Sequence, residues 1–102
     1  MTSEIPLVSV VIPIFNTKIA FLEAALLSIK QQTFRKYECI IIDDSTDEEV
    51  SNFAIDFVSN DDRFLYFHRK KSFGLGDALN FGLSKCSGNY IARMDADDIS
   101  HS

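Results

Sequence analysis

Three carboxylates fall within four positions near the end of the chain, at Asp95, Asp97 and Asp98. On an extended backbone residues i and i+2 point to one side, so Asp95 and Asp97 converge while Ala96 turns away. Two such charges roughly 6 Å apart repel by about 3 kcal/mol at an effective dielectric of about 20. A divalent cation removes that repulsion. Oxygen-only donors suit Mg²⁺ or Mn²⁺, with positions left open for phosphate oxygens. The competing reading is a solvated acidic turn, because a D-x-D arises often by chance. Its place at the end of an expected buried strand, Asn89 to Met94, weighs toward the metal.

A second acidic pair, Asp43-Asp44, closes another apolar run and precedes Ser45. One reading is helix-cap chemistry. The other is a carboxylate that accepts hydrogen bonds from a base or a ribose. Only one of the pair can face a given side, because strand neighbours alternate. Gly74-Leu75-Gly76 opens a helical stretch after a strand, but Leu79 stands where a dinucleotide fingerprint needs its third glycine. These glycines instead allow close backbone approach. Arg69, Lys70 and Lys71 read as a solvated loop, or as cations facing a diphosphate. His68 reads as packed within a strand, and nothing constrains His101.

Composition bounds the rest. The chain has 102 residues, 46% hydrophobic and 25% charged, enough for one small domain with a core. Fifteen acidic residues against ten basic give a net charge of -5, which disfavours nucleic acid as a partner. A bound phosphate compound therefore needs a local source of positive charge. No apolar run approaches the ~20 residues of a membrane span, and no signal peptide is visible. Cys39 and Cys86 read as reduced thiols packed as small hydrophobes, and no zinc set exists. The expected compartment is the cytoplasm, with peripheral attachment to the inner face of the membrane left open.

Two periods alternate along the chain. Leu7 to Ile14 is a β-branched run suited to a strand buried on both faces, with Pro13 marking its carboxyl end. Asn16 and Thr17 offer an N-cap for a helix of about fifteen residues carrying Ile19, Leu22, Leu26 and Ile29. Tyr37 to Ile42 is a second strand. Thr46 or Asp47 caps a helix bearing Val50, Phe53, Ala54, Phe57 and Val58. Phe64 to His68 is a third strand, Leu75 to Lys85 a third helix, and Asn89 to Met94 a fourth strand. The order predicts an α/β fold, a parallel sheet of about four strands flanked by three helices. Ligands of such sheets bind beyond the carboxyl ends of strands, so both acidic clusters are expected on one rim.

Taken together the motifs resemble the family 2 glycosyltransferases of GT-A fold. Val8-Ser9-Val10-Val11-Ile12-Pro13-Ile14-Phe15-Asn16 resembles the family's opening strand. Ser28 to Phe34 resembles S-x-x-x-Q-T-x, and Tyr37 to Asp47 resembles Y-E-I-I-I-V-D-D-G-S-T-D. Gly74 to Gly82 resembles G-L-x-x-A-L-N-x-G, and Gly88 to Ile99 is similar to G-x-Y-I-A-R-M-D-A-D-D-I almost letter for letter. The resemblance implies a Rossmann-like GT-A nucleotide-binding half. Its implied activity is transfer of a sugar, with inversion, from a nucleotide diphosphate donor to an acceptor hydroxyl. A UDP-sugar is the expected donor and a glycan or lipid-linked molecule the expected acceptor, in bacterial surface polysaccharide or other glycan synthesis. By position, Pro13, Phe15 and Asn16 would line the nucleotide pocket. Asp44 would hold the base, with Asp43 framing that edge. Asp95 would lie near ribose and metal, Asp97 would be the principal ligand of Mn²⁺ or Mg²⁺, and Asp98 would sit beside it. Lys71 and Asn80 would approach the donor.

Ser45 and Ser72 depart from the family, which usually has Gly and Asn there. The motifs run to Ile99, and the family's acceptor site and catalytic base lie beyond them. The expectation is a single partial domain over residues 1–102 that carries donor and metal binding and lacks that base. The fourth strand should then expose an apolar edge and favour a homodimer through it. The alternatives are a non-catalytic nucleotide-binding or assembly module and a Mg-dependent phosphotransfer or receiver-like domain.

Overall fold

The structure is a computed structural model that describes residues 8–31, 36–59, 61–69 and 74–94. Four strands, β1 (Val8–Ile14), β2 (Tyr37–Asp43), β3 (Phe64–His68) and β4 (Tyr90–Arg93), alternate with three helices, α1 (Ile19–Lys30), α2 (Glu48–Val58) and α3 (Leu75–Ser84). All pairings are parallel and the strand order is β3-β2-β1-β4. The chain steps outward from β1 to β3, then crosses back to lay β4 on the other side of β1. Right-handed crossovers put helices on opposite faces in that case. Accordingly α1 and α2 pack Leu22, Leu26, Val50 and Ala54 against Ile12, Ile14, Cys39 and Ile41. On the other face α3 packs Ala78 against Val11, Ile40 and Ile42.

The sequence explains each element. β2 is buried almost throughout because it has a strand on both sides and helices on both faces. The buried residues of α1 are Leu22, Ala25, Leu26 and Ile29, at the spacing of one helical stripe. Its N-cap is Lys18, which makes no side-chain cap bond, and its length is 12 residues. The expected cap from Asn16 or Thr17 does not form, because Asn16 is engaged elsewhere. Asp47 does cap α2, accepting the Glu49 N–H at 3.0 Å, a bond worth about 1 kcal/mol. Pro13 has the same parity as Val11, whose carbonyl accepts the Met94 N–H at 3.0 Å. Its missing N–H therefore faces the β4 side, past the Val8–Val11 stretch that β4 pairs. That is why a central strand tolerates it.

Two close approaches hold the layers. A Cβ on Gly82 would stand 2.7 Å from Ile42 Cδ1 and from Val11 Cγ1, so α3 lies directly on the sheet. At the amino end, Glu38 accepts from Ser9 Oγ at 2.6 Å, from the Ser87 N–H at 2.6 Å and from Ser87 Oγ at 3.1 Å. Ser9 Oγ in turn accepts the Gly88 N–H at 2.8 Å. This knot ties the entry of β4 to β1 and β2. β4 itself is an edge strand, with Tyr90 65% and Ile91 52% exposed, and not the buried strand expected ahead of the D-x-D, because among the described residues it pairs with β1 alone. Among the described residues no helix is long and apolar enough to cross a membrane.

A Cβ on Gly88 would meet backbone as well as side chain, 2.8 Å from the Ser9 nitrogen and 2.9 Å from the Val8 carbonyl carbon. Neither can move without disturbing β1. Gly88→Ala is expected to lower stability by about 1–3 kcal/mol, read as a fall in the urea midpoint with unchanged slope.

Candidate functional site

The carboxyl ends of β1 and β2 lie side by side at Ile14 and Asp43, β4 ends parallel to them opposite Val11, and strand order reverses between β1 and β4. Ladder bonds continue past the strands and fix this rim. The Ile14 carbonyl accepts the Asp44 N–H at 2.9 Å, and the Asp43 carbonyl accepts the Arg69 N–H at 2.9 Å. The rim therefore gathers Pro13 of β1 with Phe15 and Asn16 just past it, and Asp43 of β2 with Asp44 just past it. Asn80 lies exposed on α3. Lys71, Asp95, Asp97 and Asp98 lie outside the described residues, as do Lys70, Ser72 and His101. β4, which leads to the D-x-D, ends parallel to β1 with Met94 bonded to Val11.

Asp43 and Asp44 diverge as strand neighbours must. Asp43 is fully buried, accepting the Ser45 N–H at 2.9 Å and the Tyr66 hydroxyl. Burial, and then the bond to Asp43, raise the Tyr66 hydroxyl above its ordinary pKa. Asp44, 4% exposed, accepts from Arg69 in a two-pronged ion pair, Nε to Oδ1 at 2.8 Å and Nη2 to Oδ2 at 2.7 Å. Arg69 Nη1 donates to Asp77 Oδ2 of α3 at 2.9 Å. Its guanidinium carbon stands 5.2 Å from the centroid of the Phe81 ring. The bond to Asp44 is the main reason the Arg69 guanidinium holds its proton more tightly than usual.

Arg69 is therefore no part of a solvated loop. Its partner is an acid that a strand of its own sheet places opposite it, a contact that local sequence does not announce. Tyr66 was missed for the same reason, since its role comes from Asp43 on the neighbouring strand. His68 is exposed, not packed, because β3 is the other edge strand. Its Nε2 lies 3.3 Å from the Ser45 carbonyl. Cys39 and Cys86 are both free thiols. Burial pushes both above their ordinary pKa.

Asn16 joins two rim loops. It adopts a left-handed φ of 49°, which Asn tolerates better than most residues. Its backbone N–H donates to Ser45 Oγ at 2.8 Å and its Nδ2 to Thr46 Oγ1 at 3.1 Å. Its Oδ1 accepts the N–H groups of Thr46 at 3.0 Å and Asp47 at 2.9 Å. Beside these loops a cleft of about 440 Å³ opens between α2 and β3, lined by Ser45, Ser51, Asn52, Tyr66 and His68. Among the described residues no group of three His, Cys, Asp or Glu side chains could hold a metal. The carboxylates of Asp43 and Asp44 are already bonded to Tyr66 and Arg69. The D-x-D remains the only all-oxygen set singled out by the sequence, and its donor chemistry fits a hard divalent cation.

The sequence matches the family model described as Glycosyl transferase family 2 over residues 9–102. The chain belongs to that family. It is 41% identical over 92 residues to an uncharacterized glycosyltransferase of Rickettsia bellii, covering 90% of this chain and 13% of that protein. Its fold is similar to that of the mannosyltransferase PcManGT from Pyrobaculum calidifontis in complex with GDP-Man and Mn²⁺, with a TM-score of 0.80 and 21% identity over 93% of this chain and 28% of the other. It is also similar to S. aureus TarS in complex with UDP-GlcNAc, with a TM-score of 0.77 and 24% identity over 89% of this chain and 26% of the other. At those identities the likeness is one of fold, the Rossmann-like GT-A α/β arrangement expected from the motifs. In all three cases the chain spans well under half of the relative's own length.

The Tyr66–Asp43 bond makes stability depend on alkali. Below pH 10.0, the ordinary value for tyrosine, Tyr66 is protonated whether the chain is folded or not. Above it the unfolded chain ionises first, so stability falls as pH rises. Urea midpoints at about pH 8 and about pH 11 are expected to fall less in Tyr66→Phe than in the wild type. The variant loses about 1–3 kcal/mol at the lower pH, because an Asp43 oxygen is left unpaired.

Proposed function

We propose that this chain is a single partial GT-A domain, the donor-binding half of a glycosyltransferase. It holds a nucleotide diphosphate sugar at the carboxyl rim, a UDP-sugar in the first instance. The observation that carries the reading is the rim itself in a member of this family. The ends of β1 and β2 lie side by side next to a reversal of strand order, the usual place for a ligand in an open α/β sheet, and β4 runs toward the same end. Relatives of the same fold bind GDP-Man and UDP-GlcNAc, which supports the donor class.

In this reading Pro13 and the 58% exposed ring of Phe15 line the base pocket. Asn16 shapes its wall, since its amide is already bonded to Thr46 and Asp47. Asp44 accepts from the base, and Asp43 keeps that edge rigid from below through Ser45. Asn80 and Lys71 approach the donor. Asp95 serves ribose and metal, Asp97 is the principal ligand of Mn²⁺ or Mg²⁺, and Asp98 stands beside it. When bound, the cation supplies the positive charge that stabilises the departing diphosphate in an otherwise acidic chain. Transfer goes to a hydroxyl of a glycan or lipid-linked acceptor, with inversion, in surface polysaccharide or other glycan synthesis at the inner face of the membrane. None of the residues assigned here is the general base that deprotonates that hydroxyl. It belongs to sequence beyond these motifs.

Calorimetric titration with UDP in the presence of Mn²⁺ checks the reading. The wild type is expected to bind, and Asp97→Ala to bind at least about tenfold more weakly, a loss of about 1.4 kcal/mol. Silence from the wild type, or full affinity in Asp97→Ala, would count against it. The same reading takes the apolar β4 edge as the seam of a homodimer. A groove of about 230 Å³ lined by Val8, Val10, Ile29, Tyr37, Ala92 and Met94 runs beside it. Light scattering is expected to give a dimer for the wild type and a monomer for Ile91→Lys. A wild type that remains monomeric at high concentration would remove the seam.

A further inference from the structure

We propose that Arg69 is a positioning residue for nucleobase recognition, holding Asp44 so that the pair together reads a base edge carrying an N–H beside an acceptor. This rests on the nucleotide-binding reading above and adds to it a residue and its anchor. Arg69 is restrained from three directions, by Asp44 just past β2, by Asp77 on α3 and by the face of Phe81. Both prongs of the fork bind one carboxylate, so the Asp44 side chain has one available rotation. Holding a carboxylate in a single geometry removes the entropy that a free one would lose on binding.

The fork also leaves groups to spare. A guanidinium has five N–H donors, and three of them are used by Asp44 and Asp77. The two others have no partner among the described residues. Each Asp44 oxygen accepts one bond from Arg69 and keeps a second lone pair. Nη2 and Oδ2 stand 2.7 Å apart, so a donor and an acceptor lie side by side at the rim. A uracil edge offers the complement, its ring N–H toward Oδ2 and its neighbouring carbonyl toward Nη2. Lysine in this position keeps the charge that neutralises Asp44 but loses the fork.

Methylating the ring nitrogen of UDP removes the base's donor and sets a methyl group where Asp44 would accept it, so it reports on the Asp44 contact. Calorimetry with UDP and with 3-methyluridine diphosphate, both with Mn²⁺, is run on the wild type and on Arg69→Lys. Methylation is expected to weaken wild-type binding about tenfold and Arg69→Lys binding by about twofold or less. A thermal unfolding scan of the same samples shows that the variant is folded. A role in holding the fold together would shift that scan but leave the methylation ratio alone. Equal ratios in the two proteins therefore overturn the proposal while leaving nucleotide binding intact. Absence of wild-type binding to either compound removes both. Asp77→Asn, which loosens only the Nη1 anchor at an exposed site, is the second variant. It is expected to narrow the ratio in the same direction, and an unchanged ratio there together with an unfolded Arg69→Lys also overturns the proposal.

Discussion

Parallel pairing of β1 with a strand on each side is the constraint from which the rim follows. β2 matches β1 over its whole length, from Val8 opposite Tyr37 to Ile14 opposite Asp43. β4 matches only Val8 to Val11. Because all three run the same way, their carboxyl ends emerge at one end of the sheet. Because β4 lies on the other side of β1 from β2, the order reverses there. Asn16, just past β1, spends its side chain on the β2 loop. Helices fill in around this frame. α1 and α2 close one face, and α3 comes so near the other that only glycine fits at position 82.

Electrostatics at the rim follow from alternation along β2. Asp43 turns to the α2 face, where a tyrosine hydroxyl can meet it. Asp44 turns to the α3 face, where an arginine meets it. Two adjacent acids thus become two independent problems with two different solutions, one neutral donor and one cation. Breaking a buried ion pair by removing one partner typically costs about 3–5 kcal/mol, because the other charge is stranded. Asp44 is buried enough for that cost to apply in good part, which makes the Arg69 fork a fixed feature of the fold. Asp77 extends it to α3, so helix and strand report to the same guanidinium.

Strands and helices were legible because their periods are clean. The bounds of β3 were read without error, and the others within about two residues, apart from the longer expected α1. The parallel sheet followed from the β-α alternation and the short connections. What could not be read were contacts between residues far apart in sequence. Asn16 looked like a helix cap, because a short polar side chain before an apolar stripe is the usual sign of one. It proved to bind residues 30 and 31 positions away. Arg69 looked solvated beside two lysines, and Tyr66 looked like ordinary strand filling. Burial on β2 explains both, since a strand enclosed on four sides forces its two acids to find donors among their spatial neighbours. The glycosyltransferase family was legible from the order of five motifs, which no single motif would have secured.

The knot of Ser9, Glu38, Ser87 and Gly88 bears on how the chain comes together. Its longest bond joins residues 79 apart, from the first strand to the threshold of the last. Contacts of such separation are slow to close, since an intervening loop must lose its freedom first. A polypeptide emerging from its amino end can pair β1 with β2 and β2 with β3 early. One flank of β1 stays bare until Gly88 arrives. During synthesis the strand that organises the whole rim is thus also the one that waits longest for its second neighbour, and a glycine with a serine hydroxyl is the clasp that ends the wait.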